Sequence, residues 1–212
     1  MPEFSPRLLR AFVQTLAAEL GAGKLPIVLE SAGLAPHLSD LSTLPLVAGQ
    51  RPEAVAVMDA STSARAYADI QKAMRTYYGR GARGILLRVG AQLWNRLLDE
   101  ASLTLKPQVA LARGLATKER PKPALDLLAK IFSTRSGDIT VHTLDLDLLL
   151  VDHPSPAANG QQDNEPICWV TMGLVREALY WATRYEYDVT EISCCALGAR
   201  QCEFKVVSSG KV

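Results

Sequence analysis

Apolar residues recur at helical spacing through the N-terminal part of the chain. Between Ser5 and Leu20 they share one helical face, with Ser5-Pro6 as a start signal and Gly21 as a stop. The same pattern predicts further helices over Leu25 to Ala32, Ser63 to Tyr78, Ile85 to Leu98, Pro107 to Leu115 and Pro123 to Phe132. From Gly33 to Glu53 the periodicity is broken by Pro, Ser and Thr, which indicates a long irregular connection.

The pattern changes to alternation after these helices. Ile139 to Leu150 predicts two strands with a turn near Asp145 to Asp147, and His153 to Asn164 is typical of an exposed loop. A helix is then predicted over Pro166 to Ala182. A hairpin follows, from Tyr187 to Ala196 and from Gln201 to Val207, with Gly198 in the turn.

This order of elements indicates the fold class. Helices come first, and strand–strand–helix–strand–strand follows. The sequence therefore predicts an α+β domain in which N-terminal helices pack on an antiparallel sheet.

Composition and charge limit the classes of partner. The 212 residues carry a formal net charge of +1, so no overall field attracts nucleic acid or an anionic membrane. No apolar run approaches the roughly 20 residues of a membrane span. The first residues show no basic stretch followed by an apolar one, so we expect a cytoplasmic protein. Cytosolic thiols are usually reduced, which favours a metal over a disulfide for clustered cysteines.

The cysteines are concentrated near the C-terminal end, at Cys168, Cys194, Cys195 and Cys202. Small buried hydrophobic residues are the alternative interpretation of such cysteines. If Gly198 centres the turn, Cys194 and Cys202 face each other on one side of the ribbon. Cys168 falls in the first turn of the preceding predicted helix, where amide dipoles favour a thiolate. Three thiolates can therefore meet where a helix N-terminus approaches a hairpin.

A zinc ion would need a fourth ligand, since it prefers tetrahedral coordination. Glu191 is a candidate, but it lies three residues before Cys194, and such residues point to opposite faces of a straight strand. Glu191 can join only if the strand is bulged or the long side chain curls around. Cys195 and His153 are rival fourth ligands on this reasoning.

Four short motifs in the C-terminal region have a familiar arrangement. They are Cys168-Trp169-Val170, Gly173 to Leu179, Val189 to Cys194 and Gly198 to Phe204. Together they resemble the C-terminal signature of the 4-vinyl reductase domain family. This domain also forms the aromatic-sensing module of phenol-responsive transcription activators. The resemblance implies a fold similar to TRAPP subunits and to ligand-binding domains of nitric-oxide signalling.

The resemblance also implies a ligand set and an organisation of the chain. The family holds zinc through a Cys before the helix, a Glu-x-x-Cys and a later Cys, which correspond to Cys168, Glu191, Cys194 and Cys202. Cys195 falls outside that pattern. Residues 1–55 would be an N-terminal helical extension, and residues 56–208 a ligand-binding domain with a structural zinc site. A homodimer is implied as well.

A glycine motif, Gly79-x-Gly81-x-x-Gly84, matches the dinucleotide-binding pattern. That pattern needs a preceding strand, whereas a helix is predicted here, so a helix stop followed by a helix start is the favoured interpretation. No Ser-His-Asp set, paired-carboxylate site or cofactor-lysine motif stands out in the sequence.

We therefore expect a zinc-stabilised protein that binds or senses a small hydrophobic, aromatic or tetrapyrrole-type molecule and is not itself catalytic. Met172, Val175 and Val189 are the residues predicted to face its pocket. The first alternative, implied by the family name, is an enzyme or accessory factor in vinyl reduction of bacteriochlorophyll synthesis. Such an enzyme needs a hydride or electron source. The second alternative is a protein–protein scaffold, which rests on analogy with the TRAPP fold.

Overall fold

Seven helices and four strands make up the part of the chain that the computed structural model describes, residues 2–21, 23–34, 59–101, 105–145 and 147–207. The helices are α1 (Pro6–Leu20), α2 (Leu25–Ser31), α3 (Ala60–Tyr78), α4 (Gly81–Asp99), α5 (Lys106–Gly114), α6 (Pro121–Phe132) and α7 (Trp169–Thr183). The strands are β1 (Ile139–Leu144), β2 (Asp147–Asp152), β3 (Asp188–Ser193) and β4 (Cys202–Val207). The predicted α+β class is confirmed.

The helix boundaries differ from the predicted ones mainly at N-terminal ends. Helix α3 begins at Ala60 rather than Ser63, because the Asp59 side chain caps it by accepting the Thr62 N–H at 2.6 Å. The predicted connection beyond Leu34 lies largely outside the described residues, and so does the predicted domain boundary between residues 55 and 56.

The glycine motif joins two helices, as the sequence predicts. Gly79 follows the last residue of α3 with φ +53°, where a side chain would be strained. Gly81 is the first residue of α4, and Gly84 lies within that helix. A helix therefore stands where a dinucleotide-binding motif requires a strand.

The four strands form one antiparallel sheet in the order β1-β2-β4-β3. Leu150 of β2 pairs with Phe204 of β4, and Val206 of β4 pairs with Val189 of β3. All four side chains are buried, and they belong to the same core as the helices. The sheet thus has one face in the core, which α6 and α7 help to cover.

Helices α4 and α7 cross at a pair of glycines. A Cβ atom added to Gly90 would lie 2.2 Å from the Val170 carbonyl oxygen, and one added to Gly173 would lie 2.2 Å from the Leu87 carbonyl oxygen. Real Cβ contacts are essentially never shorter than 3.0 Å. The two backbones are therefore in direct contact, and this contact fixes α7, which begins directly after Cys168.

The N-terminal helices pack into the same core through aromatic side chains. The ring of Tyr67 on α3 stacks on Phe4 with centroids 4.2 Å apart, and it meets Phe12 of α1 edge-on at 4.8 Å. All three residues are at most 1% exposed. Helix α1 is therefore held against α3 by buried aromatic contacts.

The segment after β2, residues 153–164, is here called the strap. The prediction of an exposed loop is wrong for its middle, because Ser155 and the short 3-10 helix Pro156–Ala158 are buried against α3. The Ser155 N–H donates to Asp152 Oδ1 at 2.9 Å, and its hydroxyl donates to the Asp152 carbonyl at 2.6 Å. Local hydrogen bonds thus satisfy a backbone that turns inward.

Among the helices in the described ranges, none joins sufficient length to sufficient apolar character for a bilayer crossing.

Replacing Gly90 by Ala tests the helix crossing. The added methyl group must push α4 away from α7, so we expect a loss of about 1–3 kcal/mol or more in the free energy of unfolding. Gly84→Ala on the same helix is the matched control, because its Cβ would meet only Arg88 Nη1 at 3.6 Å. That control should gain about 0.5–1 kcal/mol from helix propensity. Urea unfolding curves measure both, and equal stability of the two variants would contradict the direct backbone contact.

Candidate metal centre

Four acidic side chains meet at the start of α7. Cys168 immediately precedes that helix, Glu191 lies on β3, Cys194 follows β3, and Cys202 begins β4. Their ligand atoms all lie within 4.8 Å of one another, and all four residues are buried. The structure thus brings together the four residues that the family resemblance implies, and the cluster could hold a metal ion.

A bulge in β3 allows Glu191 to reach this cluster. Glu191 pairs with Phe204, whereas Ser193 pairs with Glu203, so β3 contains one more residue than β4 between these positions. Ile192 is exposed, while Glu191 and Cys194 are both buried. The condition under which residues three apart can share a face is therefore met.

The distances between the sulfur atoms suit a shared cation. Cys168 Sγ lies 3.5 Å from Cys202 Sγ, and Cys202 Sγ lies 4.0 Å from Cys194 Sγ. Thiolates bound tetrahedrally at about 2.3 Å from one zinc ion would be about 3.8 Å apart. The cysteines are free rather than disulfide-bonded.

The carboxylate of Glu191 is oriented by the backbone of Cys168. Its Oε2 accepts the Cys168 N–H at 3.0 Å. Its Oε1 is buried and has no hydrogen-bond partner among the described residues. Such an atom is costly unless a ligand or ion completes it, and a metal ion would do so.

The buried acidic groups oppose one another's ionisation. Burial raises the pKa of Glu191 to about 8, and hydrogen bonding with Cys194 and Cys202 raises the pKa of Cys168 well above its usual value. Hydrogen bonds from Cys168 and Cys202 lower the pKa of Cys194. One thiolate is thus favoured by its neighbours' protons, and a cation is needed before all four groups can be anionic together.

The two rival ligands lie outside the cluster. Cys195 is partly exposed and contributes its backbone, since its N–H points at Cys202 Sγ at 3.3 Å. His153 contacts Thr140 Oγ1 through Nε2 at 3.0 Å and Gln201 Oε1 through Nδ1 at 2.9 Å. Both contacts of His153 are on the exposed side of the sheet, away from the buried sulfur atoms.

Sequence reasoning missed the residues that hold Cys202 from the strap. The Cys202 N–H donates to Ser155 Oγ at 2.9 Å, and Ser155 is bonded in turn to Asp152. Burial raises the pKa of Asp152 to about 7. Asp-x-x-Ser is a common turn pattern, so the sequence carries no signal that this turn supports a metal ligand.

The residues predicted to line a pocket are all in the core. Met172 is 4% exposed, Val175 0% and Val189 2%. A cleft of about 770 Å³ lies elsewhere, between α6 and β1, where Lys130 and His142 line it. The role of Met172, Val175 and Val189 stays a prediction.

Comparison with known proteins gives one family match and a set of similar folds. Residues 152–208 match the 4-vinyl reductase domain. The chain is similar to an H-NOX structure from a study of heme distortion, with a TM-score of 0.52, 13% identity, and 97% of this chain and 95% of that chain covered. A Cs H-NOX mutant with 4-cyano-L-phenylalanine at site 5 gives 0.54 and 13%, with 100% and 98% covered.

A third similar structure is an H-NOX domain from Shewanella oneidensis in the Fe(II)CO state, with a TM-score of 0.50, 13% identity and 100% of both chains covered. No curated protein matches the chain. At this level of identity the likeness concerns the fold alone. The predicted relation to the nitric-oxide-signalling type of fold is confirmed.

Replacing Ser155 by Ala tests the connection between the strap and the cluster. The substitution leaves the buried Cys202 N–H without its acceptor, so we expect a loss of about 1–3 kcal/mol in the free energy of unfolding. Ser136→Ala, at an exposed position, should change it by less than about 0.5 kcal/mol. Chemical denaturation of both variants would measure this, and equal effects would show that the Ser155 hydroxyl does not hold Cys202.

Proposed function

Since residues 152–208 match the 4-vinyl reductase domain, we propose that the protein is a zinc-stabilised binding or sensing module for a small hydrophobic molecule and is not itself an enzyme. The observation that carries this proposal is the meeting of Cys168, Glu191, Cys194 and Cys202 within 4.8 Å in the buried interior. Three sulfurs and one carboxylate oxygen are a donor set that zinc accepts well.

The zinc ion in this proposal is structural. Four protein ligands leave no open position for water or substrate, so the ion supplies cross-linking rather than Lewis-acid chemistry. Cys168 would attach the start of α7, while Cys194 and Cys202 would attach both sides of the hairpin. Metal affinity would then contribute directly to the stability of the fold.

Heme is the group studied in the similar H-NOX structures. Histidine is a common axial ligand of heme iron. In the described part of this chain, His142 and His153 are exposed and share a contact with Thr140 Oγ1, and His37 lies outside it. The described residues therefore offer heme no histidine from the core, and we base no step on heme.

The ligand that we propose is a small hydrophobic, aromatic or tetrapyrrole-type molecule. Support comes from the family match and from the location of Met172, Val175 and Val189 in the core near the cluster. The join of α3 to α4 at Gly79 and Gly81 favours binding over reduction, because it accounts for the dinucleotide-like motif. A homodimer and a cytoplasmic location stay predictions.

Zinc content and its dependence on one sulfur test the proposed metal site. Elemental analysis of protein purified without added metal should give one zinc ion per chain. Cys194→Ser should lose that ion and about 3 kcal/mol or more of stability, which is roughly 6–12 °C in melting temperature for a chain of this size. Cys195→Ser is the matched control, since Cys195 is outside the cluster, and it should keep both. Full zinc in Cys194→Ser would refute the ligand assignment.

Thermal stabilisation by apolar molecules tests the proposed ligand class. Toluene, p-xylene and naphthalene, each near saturation, should raise the melting temperature, because a ligand at 100 times its Kd adds about 2.7 kcal/mol. Benzoate is the charged control of similar size and should have no comparable effect, since burying its charge is costly. Calorimetry with zinc-replete protein would measure the shifts. Their absence for every apolar molecule would count against a binding function while leaving the zinc site intact.

A further inference from the structure

Helix α3 carries buried polar residues at every fourth position. Ser63, Tyr67 and Gln71 are each 0% exposed, and the side chain of Arg75 is 12% exposed. Residues at this spacing lie on one face of a helix. We call these four residues the polar stripe of α3.

Each member of the polar stripe has a polar atom without a partner. Ser63 Oγ, Tyr67 OH, Gln71 Oε1 and Arg75 Nη1 are all buried and make no hydrogen bond with the described residues. Native proteins pair nearly all such atoms, and an exception calls for an ordered water, ion or ligand. Four exceptions along one helical face indicate one shared cause rather than four separate defects.

The stripe lies between the strap and the metal centre. Arg75 Nη2 donates to Gln161 Oε1 at 3.2 Å, and Arg75 Nε is 3.5 Å from Asp163 Oδ2, so the strap covers this end. Gln71 and Thr171 approach the Tyr67 hydroxyl without closing a hydrogen bond. Burial, followed by the charges of Cys168 and Asp152, holds the pKa of Tyr67 well above its usual value, so this hydroxyl remains a donor.

The charges around the stripe favour a neutral partner. Asp152, Asp163 and the metal-centre residues are all acidic, and Arg75 already contacts Asp163. Three thiolates and a carboxylate around a divalent cation would also leave that centre net negative. An anionic molecule would therefore be repelled. A cation would lie beside the guanidinium of Arg75.

We propose that the polar stripe of α3 is the polar wall of a binding site for a neutral molecule with two or more hydroxyl or carbonyl oxygens. Successive members are one helical turn apart, about 5.4 Å, so one oxygen atom serves one member. A molecule whose oxygens are about 6–7 Å apart serves two neighbouring members. This site rests on the proposed binding function and adds to it a requirement for paired polar groups.

A matched series of probes tests the requirement. p-Xylene has no oxygen, 4-methylbenzyl alcohol has one, and 1,4-benzenedimethanol has two at opposite ends of the same ring. We expect binding of the zinc-replete protein to strengthen along this series, with at least a tenfold lower Kd for the diol than for p-xylene in titration calorimetry. 4-(Hydroxymethyl)benzoate, which is charged, should bind more weakly than the diol.

Two variants connect that gain with the stripe. Tyr67→Phe and Gln71→Leu each remove one polar partner, and each should reduce the preference for the diol over p-xylene by at least fivefold. Tyr77→Phe is the matched control, since it makes the same change on the same helix at a residue that is 50% exposed. Circular dichroism establishes that each variant is folded, and Gln71→Leu preserves the test if Tyr67→Phe is not.

The outcomes separate this inference from the proposed function. If p-xylene binds and the oxygens add nothing, the inference is wrong and the hydrophobic binding function stands. If only the diol binds, the inference holds and the hydrophobic ligand class is wrong. If no probe binds and Tyr67→Phe lowers the melting temperature, ordered water satisfies the stripe and the inference is overturned.

Discussion

The burial of three thiols and a carboxyl group within 4.8 Å of one another is the constraint on which this structure depends. Ionised groups so close and so far from water repel strongly unless a cation lies among them. The cluster also joins segments that are distant in sequence, since Cys168 is 34 residues from Cys202 and Glu191 is 23 residues from Cys168. Whatever occupies this point determines how α7 meets the hairpin.

Two further contacts hold the elements around this point. The backbone contact of Gly90 with Gly173 fixes α7 against α4, and the Ser155 hydroxyl holds the Cys202 amide from the other side. The strap closes over α3 through Arg75, which contacts Gln161 and Asp163. The metal centre, the strap and the polar stripe are therefore parts of one connected interior region. An occupant of the stripe would touch elements that the metal centre positions.

Local patterns in the sequence predicted most elements, because Pro6 and Gly21 mark the ends of a helix by backbone chemistry alone. Long-range packing accounts for what they could not predict. The inward turn at Ser155 depends on α3 and β4, so a segment rich in Pro and Gly resembled an exposed loop. The bulge beside Glu191 has no local signature, and only the family resemblance placed that carboxylate among the ligands. Unpaired atoms on α3 are visible only once its surroundings are known.

The glycine crossing also determines how a displacement would travel through the molecule. Touching backbones have no flexible side chains between them, so α4 and α7 cannot slide or tilt independently without a clash. A shift at the start of α7 is therefore passed along α4 to its far end. There the carbonyl of Glu100 accepts Arg7 Nη2 from α1 at 3.2 Å. The helix pair acts as a stiff rod that mechanically links the sulfur cluster to the N-terminal helix.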